Sequence, residues 1–228
     1  MRIKFSNILL ITAIVYILGI GIYTVVRMVN SVNQIIKNDQ IPYPSNELSA
    51  LKPFKNIKVS GEGLLIIAYA DQYSMVKNNK AKYTIKNDTL FIQLDNQNDA
   101  FKLFIKEIDR IEMQNYTKAI FSLQKDTVLE VVMRDFSQLF LQCKDTKLIN
   151  AKVYNHSDFQ IINGKIQNLN LTLQDRTQAK IFAQVDTIKG YTNKQTSVQL
   201  LKCDNLLLDA QGKVEILSKH NPNINIQL

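Results

Sequence analysis

A repeat of about twenty residues constrains this chain more than any other feature. The pattern is apolar-x-apolar, three spacers, a small residue, x, apolar-x-apolar. Ile111 and Met113 lead to Thr117, Ala119 and Phe121, and Val131 and Met133 lead to Ser137, Leu139 and Leu141. Ala151 and Val153 lead to Ser157, Phe159 and Ile161, and Leu171 and Leu173 lead to Thr177, Ala179 and Ile181. Gly190 and Thr192 lead to Thr196, Val198 and Leu200, and Leu206 and Leu208 lead to Gly212, Val214 and Ile216. The small residue thus recurs at 117, 137, 157, 177, 196 and 212, in steps of 20, 20, 20, 19 and 16. A fixed period of this length marks units that cannot bury their own apolar face and must stack on their neighbours.

Apolar residues alternate on both sides of each small residue, so each unit reads as two short strands joined at a corner. Asp126, Asp145, Asp186 and Asp204 are placed at a second turn, since Asp side chains bond local backbone there. The expected fold is all-β: a β-solenoid with like positions about 4.8 Å apart in successive coils. The alternative is an antiparallel β-sandwich with strands every ten residues, but a sandwich has no reason to hold a small residue in register every twenty.

Upstream of the repeat the period is also two. Ile57 and Val59 precede a turn at Gly61 and Gly63, followed by Leu65 and Ile67, and Tyr83 and Ile85 precede a turn at Asn87-Asp88, followed by Leu90, Ile92 and Leu94. Open ends of a stack are sheet edges and need cover. Residues 54–94 are expected to cap the first coil, and the tail NPNINIQL, with Pro222, to blunt the last.

Ile8–Val26 is a run of nineteen residues without a charge, bracketed by Lys4 and Arg27. As a helix it spans about 28 Å, close to the bilayer hydrocarbon thickness of about 30 Å. A cleaved signal peptide has a shorter apolar core and an A-x-A site, whereas VRMVNSVNQ follows here. The run reads as an uncleaved signal anchor. Arg2 and Lys4 flank it on one side, and Arg27, then Lys37 offset by Asp39, on the other. The positive-inside rule puts the N-terminus in the cytoplasm and the rest outside. The organisation expected is residues 1–27 as anchor, 28–53 as a juxtamembrane connector broken by Pro42 and Pro44, and 54–228 as the β-solenoid domain.

Composition narrows the function. Of the 28 Lys and Arg, Arg2, Lys4 and Arg27 flank the anchor, which leaves 25 against 20 acidic residues, a net +5 for the rest. The lysines are interleaved with Asp, with no basic run to follow a phosphate backbone, so nucleic acid is not an expected partner. The expected partners are the lipid bilayer through residues 8–26 and, for the outer domain, envelope polysaccharide or protein. With two Cys, two His and seven Gly, no metal-ligand spacing or phosphate-binding loop is present, and no cofactor, metal site or catalytic residue is assigned. Cys143 and Cys203 fall three coils, about 14 Å, apart, beyond the reach of a disulfide.

Asn155-His156-Ser157-Asp158 holds the residue types of a hydrolase triad, but neighbours on an extended strand point to opposite faces, and Ser157 already serves the repeat. Asp135 and Asp175, about 9.6 Å apart if two coils separate them, are a carboxylate pair of the kind an inverting glycosidase uses. That defines the alternative function, a carbohydrate-active enzyme. The Gly-rich nonapeptide of calcium β-rolls is missing, and sequons at Asn87, Asn115, Asn155 and Asn170 read as coincidental in so Asn-rich a chain.

Phe54-x-x-Ile57-x-Val59-x-Gly61, a further strand, Asp88-Thr89-Leu90-x-Ile92 and then coils with a small residue at each corner resemble the auto-transporter adhesin head GIN domain family over about residues 54–217. This chain departs from the family's Gly- and Ser-rich corners at Thr117, Thr177 and Thr196. The resemblance implies an exported β-solenoid of adhesin-like character and brings no catalytic residue with it. The function expected is a membrane-anchored, non-enzymatic scaffold or binding module at the cell envelope.

Overall fold

The computed structural model describes residues 47–77, 81–95, 100–193, 195–216 and 223–227. The apolar run Ile8–Val26 and most of the connector lie outside them. Among the described residues no helix is long and apolar enough to cross a membrane.

The strands in chain order begin with β1 (Leu48–Ala50), β2 (Asn56–Gly61), β3 (Gly63–Tyr69), β4 (Ser74–Val76), β5 (Lys82–Lys86), β6 (Thr89–Leu94) and β7 (Ala100–Ile105). The repeats supply β8 (Arg110–Gln114), β9 (Thr117–Ser122), β10 (Val128–Met133), β11 (Gln138–Gln142), β12 (Thr146–Val153), β13 (Asp158–Asn163), β14 (Lys165–Leu173), β15 (Gln178–Thr192), β16 (Ser197–Ala210), β17 (Lys213–Ile216) and β18 (Asn223–Gln227). The fold is all-β, and the repeats pair in parallel, not in the antiparallel fashion of a sandwich.

Two parallel ladders run side by side. In the first, β6, β2, β8, β10, β12 and β14 are successive neighbours, continued by the later parts of β15 and β16 and by β18. In the second, β7, β3, β9, β11 and β13 are continued by the earlier parts of β15 and β16 and by β17. The register follows the repeat. Ile111 pairs with Val131, Val131 with Ala151, Ala151 with Leu171 and Leu171 with Gly190. In the second ladder Ala119, Leu139, Phe159, Ala179 and Val198 form one column.

Parallel strands buried on their inner face let these columns merge into one core, in which Ile111, Ala119, Leu139, Phe159, Leu171 and Ala179 are at most 1% exposed. Residue volumes alternate between neighbouring coils, six residues before and two after the small residue: Ala151 goes with Phe159 in one coil, and Leu171 with Ala179 in the next. Interiors packed to crystal-like density favour such large-with-small pairing.

The sequence reading needs four corrections. First, residues 54–94 do not simply cap the stack. β2 and β3 form an interior coil, with β6 and β7 on one side and β8 and β9 on the other. Cover at that end comes from antiparallel strands: β5 on β6, through a hairpin whose Asn87 and Asp88 both have positive φ, and β4 on β7 with β1 outside it. β1 lies in the stretch read as a connector. Second, the tail is a rung: β18 pairs with β16 in parallel.

Third, Gly190 and Thr192 pair with Leu208 and Ala210, two residues later than the repeat suggested. The last corner is correspondingly shorter and draws the backbone inward, so a Cβ on Gly212 would collide with the Asn193 carbonyl and the Thr196 hydroxyl. Fourth, Asp186 and Asp204 lie inside the long strands β15 and β16, not in turns. The second corner opens there into continuous strand with a register shift near residues 181–184.

Candidate functional site

The corners between the ladders shape the most distinctive surface. Four of them begin with two residues of positive φ: Asn115 (60°) and Tyr116 (63°), Asp135 (54°) and Phe136 (64°), Asn155 (53°) and His156 (63°), Asp175 (61°) and Arg176 (60°). Left-handed backbone is tolerated best by Asn and Asp among residues with a side chain, which accounts for the first position. The small residue follows, and it turns inward. Thr117, Ser137, Ser157 and Thr177 are at most 2% exposed. The Thr117 hydroxyl donates to the Gln114 carbonyl (2.7 Å), the Ser137 hydroxyl to that of Arg134 (2.5 Å) and the Thr196 hydroxyl to that of Asn193 (2.7 Å). A threonine therefore closes a corner as serine does.

The second left-handed position projects outward, and twenty-residue spacing stacks its side chains. Tyr116 and Phe136 lie parallel with centroids 5.0 Å apart and planes at 4°, and Phe136 and His156 at 4.8 Å and 16°. Tyr116 and Phe136 are 56% and 46% exposed, and Arg176 occupies the same position one coil on. Beside this row the Arg134 guanidinium sits 5.3 Å from the Tyr154 ring centroid, and the Asn155 amide donates to the Asp135 carboxylate at 2.8 Å. The rings spend their facing surfaces on each other and present their edges to solvent. Sequence reasoning missed this row, although Tyr, Phe, His and Arg directly before the small residue were its signal.

The candidates for chemistry are now placed. Asn155 and His156 form a left-handed corner, not an extended strand. His156 points out and stacks on Phe136, while the Ser157 hydroxyl is buried and accepts from the Ser137 amide at 3.3 Å. The structure does not bring them to one substrate atom. Asp135 and Asp175 share a column, with Asn155 on the rung between them, and their residue type is already required by positive φ. Asp126 and Asp145 are likewise left-handed. Among the described residues no group of three or more His, Cys, Asp or Glu is placed to hold a metal ion.

Cys143 and Cys203 are buried free thiols, and burial pushes the Cys143 thiol up to about 12. Charge on the outer face of the first ladder is largely cancelled in place. Lys58 pairs with Glu112 (3.0 Å), Arg110 with Glu130 (3.0 Å) and with Glu112 (3.7 Å), and Lys152 with Glu130 (3.8 Å).

Fold and surface define an all-β protein of stacked parallel repeats with an exposed row of rings along one corner. No family model matches the chain, and no curated protein matches it. Among solved structures it is similar to a candidate adhesin from Parabacteroides merdae, at 12% identity over 77% of this chain and 96% of that one, with a TM-score of 0.47. A second, from Parabacteroides distasonis, shares 10% identity over 74% of this chain and 79% of that one, with a TM-score of 0.49.

Proposed function

We propose that the chain is a membrane-anchored β-solenoid of the adhesin head GIN type, held outside the cytoplasm by Ile8–Val26, and that it acts as a non-enzymatic scaffold or binding module at the cell envelope. The observation that carries this reading is the pair of parallel ladders continuous from β6 and β7 to β18 and β17. Such a stack holds its surface side chains in fixed rows, an arrangement suited to an extended partner. The carboxylate-pair alternative draws no support from Asp135 and Asp175, which serve the corners.

Two measurements test the proposal. Protease added to intact spheroplasts is expected to remove the large domain while leaving cytoplasmic markers untouched. Purified full-length chain is expected to bind isolated envelope polysaccharide saturably. Digestion only after lysis overturns the topology, and absence of binding overturns the module.

A further inference from the structure

At the capped end of the first ladder the outer face is hollowed into an open groove of about 410 Å³, lined by Lys58 and Ser60 of β2, Lys82, Tyr83 and Thr84 of β5, and Phe91, Ile92 and Gln93 of β6. That volume falls in the range of small-ligand sites. Two rows of outward side chains form its floor, set by the pairing of Phe91 with Lys58 and Thr84 and of Gln93 with Ser60 and Lys82. Resting on the reading of the chain as a binding module, we propose that this groove is a subsite for a neutral sugar unit of a polysaccharide.

The groove's cations each have a carboxylate neighbour: Lys58 is held 3.0 Å from Glu112, and Lys82 lies 3.8 Å from Asp95 in a looser, exposed pair. An anionic ligand would have to displace a carboxylate, and a cationic one would meet the lysines. The remaining groups are aromatic and neutral polar. Phe91 is 37% exposed on the outward row, whereas Tyr83 pairs with buried Ile92 and so turns to the core side, meeting the groove only at its edge. A pyranose ring presents faces of C–H hydrogens, which meet the negative face of an aromatic ring favourably, and a rim of hydroxyls that need donors and acceptors. Gln93, Ser60 and Thr84 supply those.

The groups are also held before any ligand arrives. Ser60 donates to the Gln93 amide oxygen at 2.7 Å, which leaves the amide nitrogen aimed elsewhere. Side chains already ordered lose less freedom on binding. The corner row is ordered as well, but its ring faces are taken up by one another.

The test is calorimetric titration of the full-length chain in phosphatidylcholine nanodiscs, which carry no sugar, with maltohexaose, cellohexaose, mannohexaose, chitohexaose and the charged hexagalacturonate. At least one neutral hexasaccharide is expected to bind saturably. Phe91→Ala is expected to weaken it by about tenfold and Gln93→Ala by a smaller factor, with Phe136→Ala at the corner leaving it unchanged. Phe91 and Gln93 are surface residues, so a matching melting midpoint confirms that the variants fold. The inference is overturned if no neutral hexasaccharide binds, if folded Phe91→Ala binds as well as the parent, or if hexagalacturonate binds more tightly. Binding lost in Phe136→Ala but kept in Phe91→Ala removes the groove and leaves the binding module standing, whereas failure of whole envelope polysaccharide to bind removes the module itself.

Discussion

Replacing Gly164 with alanine probes the stack where successive rungs come closest. Gly164 joins β13 to β14 with a φ of +105°, and a Cβ placed there would overlap the backbone carbonyl of Cys143 in the neighbouring coil. Two terms add. Left-handed backbone costs a residue with a side chain about 1–2 kcal/mol. The overlap is with backbone, so no rotamer change relieves it, and the rung must spread. The hydrogen bonds from the Cys143 amide to the Asn163 carbonyl (3.2 Å) and from the Gln184 amide to the Gly164 carbonyl (2.9 Å) then lengthen, at about 1 kcal/mol each.

The expected loss is about 3 kcal/mol, a fall in melting midpoint of roughly 6–12 °C for a domain of this size. Circular dichroism of the full-length chain in detergent micelles reads it. Asn155→Ala is the control: its φ is also positive (53°), but it is exposed and gives up one hydrogen bond to Asp135, so about 1–2 kcal/mol is expected. A Gly164→Ala midpoint within about 2 °C of the parent, or a larger loss for Asn155→Ala, would refute the close approach of the coils.

Three further outcomes follow from the same geometry. Phe136 stacks on two rings and Tyr116 on one, so with each stacked pair contributing about 0.5–1.5 kcal/mol, Phe136→Ala should cost about twice as much as Tyr116→Ala in urea unfolding. The Thr177 hydroxyl is buried with no partner, whereas that of Ser137 is bonded; Thr177→Val should stabilise and Ser137→Ala destabilise, each by about 1 kcal/mol, and a loss in Thr177→Val would contradict the orphaned hydroxyl. Burial raises the Cys143 thiol from 9.0 to about 12 and also raises Tyr69, Tyr73 and Cys203. A group whose folded pKa is raised contributes stability that is present below its unfolded value and lost above it, so stability should hold below pH 9 and fall between about 9 and 12, less steeply in Cys143→Ala.

What the sequence disclosed follows from how parallel ladders are built. A rung pairs with its neighbour residue for residue, so a twenty-residue register leaves a twenty-residue repeat, and the pairing of Ile111, Val131, Ala151 and Leu171 was readable directly. The positive-φ corners were half readable: Asn and Asp marked the first position, while Tyr116, Phe136, His156 and Arg176, planar groups directly before each small residue, were a signal that a pattern of apolar and small residues passes over. The groove was not readable, because Lys58 and Phe91 meet through strands 33 residues apart with no period linking them. Nor was the order of the first rungs, since hydrophobic alternation records which face a strand buries and says nothing about its neighbours. Asp186 and Asp204 misled for a related reason: Asp is frequent at turns, yet on an outer strand face Asp204 is exposed to solvent and Asp186 lies 3.9 Å from the Lys165 ammonium.

The interior position of the earliest coil has a consequence for assembly. The segment that leaves the ribosome ahead of every other rung, β2 with β3, ends up flanked on both sides by chain made later, 89–105 above and 110–122 below. Until those segments are made both of its edges lack a partner, so a stack built rung by rung has to add layers on two sides. The spatial order of the rungs therefore differs from the order of synthesis, and the oldest rung lies inside the stack, not at its end.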